Sequence, residues 1–185
     1  DSAIALLFSE TAGNPYFAKM ICGHLYRLMV ERRDCHITSK EVTEALRIAL
    51  DKTESVSFQH FWDDGIFVGG EQGIATSMER RKVLLAYADA LRKYQSVTID
   101  KIREFCNQYK VISTLEEHLQ EFVRRDVLTI IDSCYVCKVP FFQNWLRESG
   151  VRKIITTFKI KEETLEARRV HEQHYIKPEE IIALS

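Results

Sequence analysis

Glycine and proline are scarce in this chain, seven and three among 185 residues. That leaves little room for disordered or low-complexity stretches. No apolar run approaches the roughly 18 residues of a membrane-spanning helix. The first residues, Asp1-Ser2-Ala3-Ile4, lack the basic start and apolar core of a signal peptide. Neither sign of charge dominates: 26 Lys and Arg face 27 Asp and Glu, for a net charge of -1. No bulk attraction to nucleic acid or membrane follows, so any basic surface must be local. The five cysteines, at 22, 35, 106, 134 and 137, are odd in number and scattered. That pattern fits reduced thiols and predicts a cytoplasmic protein. Cys134-Tyr135-Val136-Cys137 has no second pair and no histidine at ligand spacing, so it reads as structural and no metal is expected.

The chemistry-bearing motifs are missing as well. A phosphate-cradling G-x-x-x-x-G-K-[ST] loop is absent, and Gly69 to Gly73 lacks Lys and Ser/Thr in register. No carboxylate pair follows an apolar strand, and no G-x-S-x-G elbow occurs. His171 and His174 have helical ligand spacing but no third ligand nearby. Asp63-Asp64, before Gly65, reads as part of a turn. The chain alone is therefore expected to have no catalytic residues and no enzymatic activity.

What is present is helical periodicity. Ile4, Leu7 and Phe8 share one helical face at the start of the chain. A second helix is expected from Pro15 to Arg32, with Asn14 as cap, Pro15 at the first helical position, and Phe17, Met20, Ile21, Leu25 and Leu28 inward. Thr38 and Glu41 form a capping box for a third helix that buries Val42, Ala45, Leu46, Ala49 and Leu50. Residues 1–52 thus read as a compact helical unit and 53–77 as a connector. Phe58, Phe61 and Trp62 could form a short packed helix in that connector, and Gly65 to Gly73 is its best hinge. From residue 78 the pattern becomes a helix over Arg80–Tyr94, a short helix capped by Thr98, and a helix opened by a capping box at Thr114 and Glu117. Strands over Val127–Ile131 and Tyr135–Val139 follow, ended by Pro140, with a last apolar helix through Trp145. Residues 149–185 read as a charged linker helix and the start of another helix at Lys177-Pro178-Glu179. Both ends of the chain read as edges of a larger protein.

Helix, short helix, helix and hairpin is the order of a winged helix-turn-helix. The fold class expected is mainly α: a helical subdomain over 1–52, then a winged helix over 78–148 with a small two- or three-stranded β-wing. Such folds often bind DNA through the third helix. Here that helix opens with Glu116 and Glu117 and carries Glu121, which would repel phosphates. Residues 79–148 hold 12 Lys/Arg against 10 Asp/Glu, only +2. The basic candidates are Arg80, Arg81 and Lys82, Arg124 and Arg125, and Lys138 in the hairpin. A solvated face is the simpler reading for them, and packing on another domain the more economical use of this helix.

The run Thr11-Ala12-Gly13-Asn14-Pro15-Tyr16-Phe17, followed by a winged helix ending in Val139-Pro140-Phe141-Phe142 and Trp145-Leu146, resembles the C-terminal region of AAA+/STAND-type ATPases. The resemblance covers residues 1 to about 150. It implies that 1–52 is a lid and that Gly13, Asn14 and Pro15 match the motif beside the bound nucleotide. ATP or ADP would then bind only together with an upstream P-loop core that this chain lacks, and the chain alone would hold no cofactor. Many AAA+ lids place an arginine just after this glycine; here Pro15 and Tyr16 follow, which points to a STAND-like sensor. The implied function is a regulatory switch in signalling or defence, with the winged helix transmitting state by packing on the core or a partner. Self-association is compatible with that role, and a DNA-binding module or a protein-interaction scaffold are the alternatives.

Overall fold

The computed structural model describes residues 2–66, 70–111 and 115–157. Among these the chain is mainly helical, with one small antiparallel sheet. Helix α1 spans Ser2–Thr11, α2 Pro15–Arg32 and α3 Ser39–Lys52. The termini of α2 and α3 follow their caps. Asn14 accepts from the Tyr16 and Phe17 amides, and Arg33, left-handed at φ 53°, closes α2 by donating to the Met29 and Val30 carbonyls. The Thr38–Glu41 box opens α3. The three helices pack on one another through Phe17, Ile21, Val42, Ala45 and Ala49.

A 3-10 turn over Ser55–Phe58 and a one-turn helix α4 over His60–Asp63 follow, with Phe58, Phe61 and Trp62 all buried. Helix α5 then runs Gly70–Lys93. Its start corrects the sequence reading, which placed a hinge over Gly65 to Gly73 and the helix from Arg80. Gly73 lies buried inside α5, and the helix extends back through two glycines despite their poor propensity. From Val83 to Ala90 nearly every side chain of α5 is out of solvent, which makes it the central helix that α6 (Ile99–Cys106), α7 (Leu115–Arg124) and α9 (Val151–Thr157) pack around. Thr98 does stand at the start of α6, but its side chain makes no cap bond. The expected box at Thr114 lies outside the described residues, as do His171, His174 and the charged stretch from residue 159.

Strands β1 (Leu128–Ile131) and β2 (Cys134–Cys137) pair with Ile131 opposite Cys134 and Leu128 opposite Cys137. Asp132 and Ser133 join them with φ of 49° and 62°, the two-residue signature of a type I′ turn matched to strand twist. Cys134 and Cys137, three apart on one strand, point to opposite faces and cannot converge on a metal. The outer edge of β2 is occupied: the Tyr135 amide donates to the Val97 carbonyl (2.8 Å), and that of Cys137 to Gln143 Oε1 (3.0 Å).

The expected strand to Val139 stops earlier, at Cys137, and Pro140 starts helix α8 (Pro140–Trp145) as its first helical residue. A π turn over Leu146–Gly150 leads into α9. Residues 149–157 were read as the beginning of a charged linker. Instead Gly150, Val151, Ile154 and Ile155 are buried. The reason is α3, whose last carbonyls need partners. Trp145 Nε1 donates to the Thr53 carbonyl (2.9 Å), and Lys153 Nζ to those of Asp51 (2.5 Å) and Thr53 (2.8 Å). Phe58 sits at the hub of an aromatic cluster, with ring centroids 5.2 Å from Phe17, 4.9 Å from Phe142 and 4.4 Å from Trp145. The cluster thus spans α2, the 3-10 turn and α8.

Candidate functional site

The corner between α1 and α2 is built by backbone geometry. Thr11, fully buried, donates its hydroxyl to the Leu7 carbonyl (2.8 Å). Ala12 and Gly13 then turn left-handed at φ 49° and 69°, and the Gly13 amide closes α1 on the Phe8 carbonyl (3.1 Å). This is the one position of the motif that requires glycine on conformational grounds. Asn14 Oδ1 takes the amides of Tyr16 (3.0 Å) and Phe17 (3.4 Å). Pro15 has no N–H, and the Ala18 amide donates to the Asn14 carbonyl (3.0 Å). The first-turn donors of α2 are therefore already used. A phosphate at this helix end would have to displace the Asn14 side chain; the helix dipole and the surface beside it remain on offer. Two aromatic rings flank it: Phe8, 3.8 Å from where a Cβ at Gly13 would lie, and Tyr16 are each more than half exposed, and Ile4 is exposed one turn before Phe8 on α1. Lys19 is exposed one turn further on.

The basic candidates do not share a surface. Arg80 is 4% exposed and Arg81 9%, which corrects the reading of a solvated basic face. Arg80 Nη1 donates to the carbonyls of Trp62 (3.1 Å) and Asp64 (2.7 Å), and Nη2 reaches Glu121 (3.4 Å). Arg81 Nη2 bonds Ser77 Oγ (2.5 Å) and Asp63 Oδ1 (3.2 Å), and the Ser77 hydroxyl donates to the same carboxylate oxygen. Arg125 Nη2 donates to the His60 carbonyl (2.8 Å), and its stem lies against Gly65, where a Cβ would be 3.5 Å from Arg125 Cδ. Burial pushes all three guanidiniums down from their ordinary range. Glu121 and Asp63 oppose this for Arg80, Asp63 for Arg81, and Asp64 and Glu121 for Arg125, where Arg80 adds to the fall. Together they clasp residues 60–65 onto α5 and α7.

The other three basic candidates are dispersed. Lys82 pairs with Glu79 (2.6 Å) along α5. Arg124 pairs with Glu121 (2.6 Å) and Lys138 with Asp126 (2.6 Å), each at least half exposed. Of the acidic residues of α7, Glu116 pairs with Arg103 (2.5 Å), while Glu121 belongs to the clasp. Sequence reading missed Asp63, Ser77 and Glu121 as partners. The i, i+4 spacing of Ser77 and Arg81 and the i, i+3 spacing of Glu121 and Arg124 were local signals; Asp63 reaches Arg81, and Glu121 reaches Arg80, by tertiary packing alone.

Among the described residues no group of three His, Cys, Asp or Glu side chains gathers to hold a metal, and no helix is long and apolar enough to cross a membrane. Burial pushes the Cys137 thiol up to about 12, which makes it inert as a nucleophile. An open apolar groove of about 500 Å³ runs along the outer face of α2, lined by Leu25, Tyr26, Val30 and Ile37, with Cys22 and Cys35 at its walls. Comparison with protein-family models, with curated proteins and with solved structures gave no match.

Proposed function

We propose that this chain is the lid and winged-helix region of a STAND-like ATPase switch. The observation that carries the reading is the α1–α2 corner. Gly13 is left-handed, Pro15 starts a long helix, and the exposed rings of Phe8 and Tyr16 flank them. Because the Tyr16 and Phe17 amides are taken by Asn14, the corner is suited to the base or to a wall of the ATPase core, not to gripping a phosphate. In this reading α5 to α7 and the β1–β2 hairpin are the winged helix, and the Arg80–Arg81–Arg125 clasp ties it to the connecting segment. A shift of the lid is then transmitted through packed side chains, which requires different contacts in the two nucleotide states. The buried guanidiniums and the acidic start of α7 give DNA readout no support.

The test has two parts. The purified chain should show no ATP turnover and no salt-dependent DNA binding. The full-length protein, if its upstream sequence carries a G-x-x-x-x-G-K-[ST] loop, should bind ADP, with affinity falling about tenfold (about 1.4 kcal/mol) when Gly13→Val strains the corner. Turnover by the isolated chain, or an upstream region without that loop, overturns the reading.

A further inference from the structure

Among the described residues, one edge of the hairpin has nothing bonded to it. In its antiparallel pairing the Lys138 amide donates to the Val127 carbonyl (3.0 Å), and Tyr135 and Cys137 turn their amides away from β1. Bonded and non-bonded pairs alternate along such a ladder. Thr129 and Ile131 therefore face β2, while Leu128 and Ile130 direct their N–H and C=O groups outward. Among the described residues nothing bonds to the outward groups of Ile130. The side chains of Ile130 and Ile131 are 51% and 55% exposed. The strand reads Leu-Thr-Ile-Ile, with no lysine, proline or bulge, so that its shortness is the one blocking device it carries.

We propose that β1 is a self-association edge, on which a second copy of this chain adds its own β1 antiparallel across a two-fold axis at Ile130. The register is self-complementary. Ile130 opposite Ile130 of the other copy exchanges both backbone hydrogen bonds, and Thr129 falls opposite Ile131. Asp132 falls opposite Leu128, so no charge meets its own kind. The contact is isologous and closes at two, because the other edge of the hairpin is already taken by Val97 and Gln143. Four strands then form one continuous sheet, in which the Ile130 side chains of the two copies are cross-strand neighbours at the axis. The short edge makes this a weak, concentration-dependent dimer. It needs no nucleotide and stands apart from the switch reading.

Sedimentation velocity over a concentration series tests it, read together with hydrogen exchange of single amides. The chain should pass from monomer to dimer, and the Ile130 amide should gain protection with concentration while that of Thr129, already paired, does not. Ile130→Lys and Ile131→Lys, both at exposed positions, should weaken the dimer at least about tenfold and leave the helical circular dichroism unchanged. A monomer at every concentration overturns the proposal. So does a dimer that both lysine variants leave intact, which would place the contact elsewhere, for instance on the α2 groove. Growth beyond two copies overturns the closed geometry.

Discussion

At the scale of single residues, Gly150 has no room for a side chain. A Cβ there would lie 2.6 Å from Cε3 of Trp145 and 3.0 Å from its carbonyl oxygen. Trp145 cannot yield, because its indole is fully buried and bonded to Thr53. Gly150→Ala, which would favour an ordinary helix, should here destabilise by about 1–3 kcal/mol, measured by urea denaturation. The histidines set a pH dependence. His60 and His118 are held below their ordinary 6.5 chiefly by burial, and His24 by burial with Arg27 and Lys52 beside it. As pH falls below 6.5 the unfolded chain takes up these protons before the folded one does, so stability falls. The low-lying carboxylates act in a separate window. Glu41, held down by the Thr38 hydroxyl and amide, loses its contribution only below 4.5. Denaturation midpoints should therefore drop as pH falls through 6.5, and His118→Gln should flatten that drop.

At the scale of elements, the N-terminal helices were legible and two later boundaries were not. Asn14, Pro15 and the Thr38–Glu41 box are local signals, and α2 and α3 begin where those residues place them. Asn14→Ala should cost about 1 kcal/mol through loss of the bonds to the Tyr16 and Phe17 amides, seen as a lower thermal midpoint. The start of α5 was illegible because glycine signals a break by its propensity, while burial of Gly73 is a tertiary fact. The α9 helix was illegible because its partners, the carbonyls at the end of α3, lie about a hundred residues earlier. The clasp followed the same rule. Runs of arginine read as surface until Asp63 and Glu121 are brought beside them. Of the candidate site, the α1–α2 corner could be read from sequence, since each contact that shapes it spans five residues or fewer.

At the scale of the whole molecule, the aromatic cluster decides how the chain unfolds. Phe58 touches rings from α2 and α8 at once. Phe58→Ala should cost about 3–5 kcal/mol and lower the stability of both halves together. Far-ultraviolet and near-ultraviolet circular dichroism should then give coincident denaturation curves; two separated transitions would show that the halves unfold independently. The same burial makes the chain its own optical probe. Its two tryptophans, Trp62 and Trp145, are both at 0% exposure, one in the connecting segment and one against the end of α3. Native emission should be blue-shifted and hard to quench with iodide. The indole signal will therefore register any event that loosens the seam between α3 and the α8–α9 segment, with no label attached.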